Sequence, residues 1–133
     1  MKIILFALAI IAVLVAVQRL FAGEVISPAE AAGRVASGKA VLIDVREPAE
    51  WAATGVAVPA VLLPLSDLQG KRVQWKTFLE KNWGKELILY CRSGHRSGIA
   101  AALLAKEGWA TTNAGGFKGW SAAGLPVRKI DPR

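Results

Sequence analysis

Short apolar segments separated by helix-like segments are the feature that most restricts the fold of this chain. Val41–Val45 (VLIDV), Val61–Leu63 and Leu87–Tyr90 (LILY) are almost wholly apolar and lack the polar alternation of a half-exposed strand. Such runs are typical of strands that are buried on both faces, as in parallel sheets. A parallel sheet needs long crossover connections, which are usually helices, so we expect an α/β fold.

Helix signals occupy the intervals between these strands. Ser27–Glu30 is a capping box with proline at the first helical position. Apolar residues recur at helical spacing between Arg72 and Trp83, and a further helix is predicted over Ser97–Glu107. Pro48–Ala53 is predicted as a short helical turn and Ala110–Ala114 as a last, weaker strand. This alternation of strands and helices supports the α/β prediction.

An uninterrupted apolar run comes before this region. Every residue from Ile3 to Val17 is Ile, Leu, Val, Ala or Phe, with Lys2 before the run and Arg19 after it. The run predicts a hydrophobic helix, either a membrane anchor over residues 3–22 or a signal peptide that is cleaved after Ala22. A small difference in flanking charge favours the extracytoplasmic, periplasmic side for the rest of the chain.

Residues 24–133 are predicted to form one domain, with residues 1–23 as the separate anchor or signal. A domain of this length buries roughly two-thirds of its unfolded-chain surface, enough for a core without metals or disulfides. The chain has one cysteine, which can form neither an intramolecular disulfide nor a structural zinc site. No metal site and no cofactor are therefore predicted, and the chemistry expected of the cysteine is that of a lone thiol.

The cysteine lies in the segment with the strongest chemical signal, Cys91–Ser97 (CRSGHRS), here named the Cys91 loop. It stands between a predicted strand and a predicted helix, where parallel sheets form ligand-binding crevices. The cationic side chains of the loop and the N–H groups of the following helix favour a thiolate at Cys91, so we expect a lowered thiol pKa. The residues predicted to bind substrate are Arg92, Ser93, Gly94, His95, Arg96 and Ser97.

Three motifs resemble those of the single-domain rhodaneses, a family of sulfurtransferases. They are LIDVREPAEW (Leu42–Trp51), the Cys91 loop, and NAGGFKGWSAAGLPV (Asn113–Val127), and the resemblance extends over roughly Val25 to Ile130. It implies a five-stranded parallel sheet with helices on both faces, preceded here by one hydrophobic N-terminal helix. It also implies that Cys91 carries sulfane sulfur as a persulfide.

The resemblance assigns roles to other residues as well. Arg96 and the N–H groups of the loop would hold an anionic substrate, and Asp44 and Arg46 would support the site, the alternative being an ordinary surface ion pair. One segment departs from the family. Many members have Gly-His-Ile-Pro-Gly-Ala where this chain has GVAVPA, so the Val56–Ala60 loop lacks the histidine and displaces the proline.

These observations predict a sulfurtransferase with a small anionic sulfur donor, such as thiosulfate, and a thiol or cyanide acceptor. The Cys91 thiolate would attack the outer sulfur of the donor, and the acceptor would take that sulfur from the persulfide. The net charge of +7 favours anionic substrates or lipid headgroups. The tryptophans lack the basic interleaving of a nucleic-acid surface, so no nucleic-acid partner is expected.

Two other functions fit the same residues. The domain could be a non-catalytic sulfur carrier or binding module, since no sequence feature distinguishes a carrier from an enzyme that turns over. It could also resemble tyrosine phosphatases or arsenate reductases, which use a cysteine and an arginine around an anion. Those loops place five residues between the cysteine and the arginine, whereas four separate Cys91 from Arg96. The shorter loop favours a sulfur atom over a tetrahedral oxyanion.

Overall fold

The computed structural model describes residues 1–22 and 24–131, and it leaves the side chains from residue 15 to residue 24 undescribed. The predicted cleavage point and domain boundary at residues 22–24 therefore lie outside the described side chains. In chain order the elements are α1 (Lys2–Ala22), β1 (Glu24–Val25), α2 (Pro28–Ala36), β2 (Ala40–Asp44), α3 (Pro48–Thr54), β3 (Val56–Ala57), β4 (Val61–Leu62), α4 (Leu65–Gln69), α5 (Val73–Lys81), β5 (Glu86–Cys91), α6 (His95–Lys106), β6 (Thr111–Gly116), α7 (Phe117–Ala122) and β7 (Val127–Arg128).

The main sheet has the strand order β1-β6-β5-β2-β4, and the pairings between its neighbouring strands are all parallel. The prediction of an α/β fold with a parallel sheet is therefore confirmed. The other two strands, β3 and β7, form a small antiparallel pair. β5 is the central strand, between β6 and β2. The cysteine at its end therefore lies at the centre of the sheet, on the side where the parallel strands have their carboxyl ends.

The core consists of two apolar clusters, one on each face of the sheet. Successive side chains of a strand point to opposite faces, and this divides the continuous apolar runs between the clusters. Ile43 and Leu89 pack with residues of α4, α5 and α6, while Leu42 and Ile88 pack with residues of α2 and α7. Both faces of β2 and β5 are thus covered, which explains why these strands carry almost no polar residues.

The predicted segments differ from the structure mainly at their ends beside the Cys91 loop. α6 begins at His95 rather than Ser97, because Gly94 adopts a left-handed conformation with φ +95° and turns the chain directly into the helix. β6 continues to Gly116, beyond the predicted end at Ala114, and pairs there with Cys91.

The prediction of a membrane-spanning helix is wrong. Within the part of the chain that the structure describes, no helix has the length and the apolar content needed to cross a bilayer. The expected anchor over residues 3–22, with the membrane as a partner, is corrected accordingly.

A buried ion pair joins the end of β2 to α3. The side chains of Asp44 and Arg46 are 0% and 2% exposed, and the guanidinium donates to both carboxylate oxygens at 2.8–3.1 Å. It also donates to the Thr54 hydroxyl at 2.8 Å and to the Gly55 carbonyl at 2.9 Å. The guanidinium lies 4.5 Å from the centre of the Phe117 ring. This pair is therefore a buried link between elements and not the surface ion pair considered as an alternative.

We predict that Arg46→Met destabilises the fold by about 3–5 kcal/mol, because it leaves the Asp44 carboxylate buried without a counter-ion. Urea denaturation measures the change. Arg34→Met is the matched control, since Arg34 pairs with Glu30 and Glu86 but is 31% exposed, and it should cost about 1 kcal/mol or less. Equal losses in the two variants would contradict the assignment of the buried pair as a structural link.

Candidate active site

Cys91 occupies the carboxyl end of β5 and is the first residue of the Cys91 loop. The side chain has no exposed surface. Arg92 and Ser93 are exposed, and Gly94 leads into α6. The thiol therefore lies beneath a three-residue turn, at the strand edge where ligand sites of parallel sheets are found.

Hydrogen-bond donors converge on the sulfur atom. The backbone N–H of Gly94 donates to the Sγ atom of Cys91 at 3.0 Å, and the Ser97 hydroxyl lies 3.4 Å from the same atom. Ser97 is fully buried and sits in the first turn of α6. The tight turn and the start of the helix thus place polar hydrogens around a single acceptor.

These donors determine the protonation of the thiol. Burial raises the pKa of Cys91. The Ser97 hydroxyl and three backbone N–H groups, those of Ser93, Gly94 and Ser97, lower it by more, so the pKa lies below the ordinary value. The direction agrees with the sequence-based prediction. The backbone N–H groups were part of that prediction, whereas the loop cations that were also expected are not among the main causes of the shift.

The three basic residues of the loop lie in different environments. Arg96 donates to both carboxylate oxygens of Glu50 on α3, at 2.6 and 2.7 Å. This contact lowers the pKa of Glu50 to about 2. Arg92 and His95 are exposed. Arg96 is thus neutralised by a partner that the sequence did not assign, and Arg92 is the loop arginine that remains accessible.

A cavity of about 310 Å³ opens beside the loop. Its lining consists of Arg46, Glu50, Ala53, Thr54, Arg92, Phe117 and Lys118. Arg46 and Glu50 are neutralised by their ionic partners. Arg92 and Lys118 take part in no ion pair among the described residues, so the mouth of the cavity carries positive charge and favours anionic molecules.

The atypical Val56–Ala60 loop lies beside these elements and is held by the end of the chain. Val56 and Ala57 pair with β7, and the Arg128 guanidinium donates to the carbonyls of Val58 and Ala60 at 3.2 and 2.9 Å. The N–H of Ala57 donates to the Tyr90 hydroxyl at 3.0 Å. The loop thus packs behind the residue that precedes the cysteine.

The structure brings together residues that the sequence did not single out. Glu50, Lys118 and Asn113 all lie at the site. Glu50 had a local signal, because it completes a capping box at the start of α3. Asn113 had a weaker one, as an amide within a short strand segment. Among the described residues no group of three His, Cys, Asp or Glu side chains could hold a metal ion.

The fold and this geometry agree with the family relationship. The profile of the rhodanese-like domain family matches residues 27–123. This match covers well over half of the chain, and the chain therefore belongs to the rhodanese-like domain family.

Individual relatives support the assignment. An uncharacterized protein of Synechocystis is 37% identical over 91 residues, 67% of this chain and 47% of that protein. A protein of Allochromatium vinosum named sulfurtransferase is 33% identical over 89 residues, 65% of this chain and 77% of that protein. The crystal structure of a rhodanese-related protein from Thermoplasma volcanium has a TM-score of 0.66 at 29% identity, covering 80% of this chain and 99% of that one. This chain thus spans about half the length of the Synechocystis relative.

We predict that the alkylation rate of Cys91 rises with pH and reaches its midpoint below pH 8.5, since a free thiol has a pKa of about 8.5. Ser97→Ala should move this midpoint to higher pH, because it removes one hydrogen-bond donor to the thiolate. The rate of reaction with iodoacetamide as a function of pH measures both. Ser37→Ala, in an exposed serine outside the site, is the control and should leave the midpoint unchanged. A wild-type midpoint at or above that of a free thiol would refute the activation of Cys91 by these donors.

Proposed function

We propose that the protein is a sulfurtransferase that moves sulfane sulfur from a small anionic donor, such as thiosulfate, to a thiol or cyanide through a Cys91 persulfide. The observation that carries the proposal is the convergence of the Gly94 N–H and the Ser97 hydroxyl on the Sγ atom. Such donors stabilise a thiolate, which is the nucleophilic form of cysteine. The family membership and the relative named sulfurtransferase support the same activity.

In the first step, the Cys91 thiolate attacks the outer sulfur of thiosulfate. A new S–S bond forms to the protein, the S–S bond of the donor breaks, and sulfite leaves with the bonding electron pair. The exposed Arg92 and Lys118 at the cavity mouth attract the dianionic donor. Because Cys91 has no exposed surface, the donor reaches it by displacing the exposed turn at Arg92 and Ser93.

In the second step, the acceptor attacks the outer sulfur of the persulfide. Cyanide would leave as thiocyanate and a thiol as its persulfide, and in both cases the Cys91 thiolate is regenerated. The donors that lower the pKa of Cys91 also stabilise it as a leaving group. One set of hydrogen bonds therefore serves both displacements, and no metal or organic cofactor enters either step.

The structure bears on the two alternative functions. A phosphatase-like reaction would need a loop that encloses a tetrahedral oxyanion, but Gly94 N–H is already directed at sulfur and Arg96 is paired with Glu50. A sulfur carrier would load at Cys91 but would not turn over. Sulfur loading at Cys91 and sulfur release to an acceptor therefore have to be measured as separate reactions.

We predict that thiosulfate adds one sulfur atom to Cys91, that cyanide removes it, and that an aryl phosphate is not hydrolysed. Intact-protein mass spectrometry follows the first two reactions. Cys91→Ser should abolish loading, because a serine hydroxyl remains protonated and forms no persulfide. Arg96→Ala should weaken donor use by about 1.5–3 kcal/mol, because it removes the charge-assisted hydrogen bonds to Glu50 that hold the start of α6 beside Cys91. Arg72→Ala removes an ion pair of similar exposure with Glu107 and should leave loading unchanged.

A loop insertion tests the argument from loop length. One glycine added after Gly94 brings the number of residues between Cys91 and Arg96 to the phosphatase count, and it should lower sulfur transfer while improving the binding of phosphate esters. Hydrolysis of an aryl phosphate by the wild type without any sulfur loading would replace the sulfurtransferase by its phosphatase-like rival. Loading without release to cyanide or a thiol would establish a carrier.

We also propose that the chain is exported, with the apolar segment acting as a signal that is removed after Ala22. The composition of residues 2–19 supports export. The described side chains of α1 are exposed, and neither core cluster includes a described residue of this helix. Removal of the helix would therefore leave the described members of both core clusters in place.

For export we predict a mass beginning at Gly23 for protein recovered from the soluble extracytoplasmic fraction. Mass spectrometry of the fractionated protein measures it. Leu8→Arg tests the role of the apolar run. It interrupts the run with a charge and should keep the full-length chain in the cytoplasm. Full-length wild-type protein in the soluble cytoplasmic fraction would contradict this proposal without affecting the assignment of the active site.

A further inference from the structure

Asn113 connects β6 to the Cys91 loop through its side chain. The residue is 6% exposed. Its Nδ2 atom donates to the Gly94 carbonyl at 3.0 Å, while its Oδ1 atom accepts hydrogen bonds from the Ser97 hydroxyl at 2.8 Å and from the Gly115 N–H at 3.0 Å. Gly94 and Ser97 are two of the residues whose donors act on the sulfur. A single amide therefore holds both.

The backbone explains why an amide is needed at this position. Leu89 on β5 is opposite Asn113, but Cys91 is opposite Gly116, so β6 contains one extra residue between these pairs. Such a bulge leaves a backbone group without a partner in the sheet. Gly115 lies in the bulge with φ +76°, and the Oδ1 atom of Asn113 accepts its N–H, as Asn side chains do in Asx turns.

The other end of the Asn113 amide, its Nδ2 atom, contacts the start of α6. It holds the carbonyl of Gly94, the residue whose own N–H is directed at Sγ. A Cβ atom placed on Gly98 would lie 3.4 Å from this nitrogen, so the helix approaches the amide closely. Since Oδ1 accepts one backbone N–H and Nδ2 donates to one backbone carbonyl, the amide has one orientation only.

The Ser97 hydroxyl lies near three acceptors, of which the Gly115 carbonyl at 3.5 Å is the most distant. Its oxygen is 2.8 Å from Oδ1 of Asn113 and 3.4 Å from Sγ of Cys91. A hydroxyl has one proton and donates to one of them at a time. When the thiol is neutral the shorter bond to Asn113 is preferred, and when the thiolate forms, the charged acceptor attracts the proton. Oδ1 then still retains the Gly115 N–H.

We propose that Asn113 is a positioning residue for the Cys91 thiolate, which holds Gly94 and Ser97 so that their N–H and O–H groups converge on the sulfur. The inference rests on the proposed nucleophilic role of Cys91. It goes beyond that role because it assigns the geometry of the thiolate site to a residue on a neighbouring strand that does not touch the sulfur.

The charged groups around the loop remain in place when residue 113 is changed. β6 itself contributes no titratable side chain. The charged or titratable groups nearest the loop are Glu47 and Glu50 at α3, Arg92 in the loop, His95 and Arg96 on α6, and Lys118 on α7. The adjoining strands add Asp44, Glu86 and Tyr90, and Arg46 lies beside the Tyr90 ring. A shift in the titration of Cys91 after substitution of an uncharged residue for Asn113 therefore reports the hydrogen bonds.

The experiment measures the alkylation rate of Cys91 by iodoacetamide against pH in the full chain. Asn113→Leu should raise the midpoint by about one pH unit, the equivalent of about one hydrogen bond to the thiolate. Asn113→Asp keeps an acceptor for Ser97 but adds a carboxylate, and it should raise the midpoint further. Thr112→Val is the control: Thr112 is buried on the same strand and points to the other face, where its hydroxyl donates to Glu86 at 2.7 Å. It should leave the midpoint within about 0.2 of the wild type, well below the one-unit effect of a lost hydrogen bond.

The outcomes separate this inference from general destabilisation. The inference would be overturned if folded Asn113→Leu had the same alkylation midpoint as the wild type. It would also be overturned if Thr112→Val shifted the midpoint as much as Asn113→Leu does. Urea denaturation establishes that each variant is folded, and if Asn113→Leu is not, the smaller uncharged replacement Asn113→Ala decides the question by the same criterion. Failure of the wild type to load sulfur from thiosulfate would reject the proposed function, whereas the alkylation profiles would still decide the role of Asn113.

Discussion

The ion pair between Asp44 and Arg46 is the interaction on which the rest of the site depends. Two buried charges require full compensation, and Arg46 finds it in the Asp44 carboxylate, in the Thr54 hydroxyl and in the Gly55 carbonyl. These contacts fix the end of α3 to the end of β2. α3 in turn carries Glu50, which holds Arg96 on α6. The position of the Cys91 loop is thereby coupled to a buried charge on a neighbouring strand.

The thiolate is stabilised by neutral donors in this arrangement. Backbone N–H groups and one serine hydroxyl surround the sulfur, while the nearest arginine on α6 is neutralised by a glutamate. Neutral donors lower the pKa of the thiol without attracting every anion to it. The cations that remain accessible, Arg92 and Lys118, lie at the cavity mouth. In the proposed sulfur transfer, attraction of an anionic donor and activation of the nucleophile would thus depend on different residues, which suits a reaction in which the same sulfur is first nucleophile and then leaving group.

Much of the fold was predictable because it depends on local patterns. The apolar runs around Ile43 and Leu89 identified strands that are buried on both faces, and their order between helices implied a parallel sheet. The ends of elements near the site were less predictable. α6 begins two residues early because of the conformation of Gly94, and β6 is longer because of its bulge. Both features depend on contacts between distant segments, and no local pattern encodes them.

For the site, the sequence alone identified Cys91 as the candidate nucleophile and the segment that surrounds it, since the chain has one cysteine and glycine, serine and arginine residues follow it at a strand–helix junction. Only the tertiary structure decided how that cysteine is activated. The sequence alone does not show which group Arg96 contacts. In the folded chain its partner is Glu50, which lies 46 residues away in sequence. Asn113 likewise reaches the loop only after β6 pairs beside β5. Partners of this kind depend on strand order and register, which local sequence does not specify, because hydrogen bonding and charge act over distances in space and not along the chain.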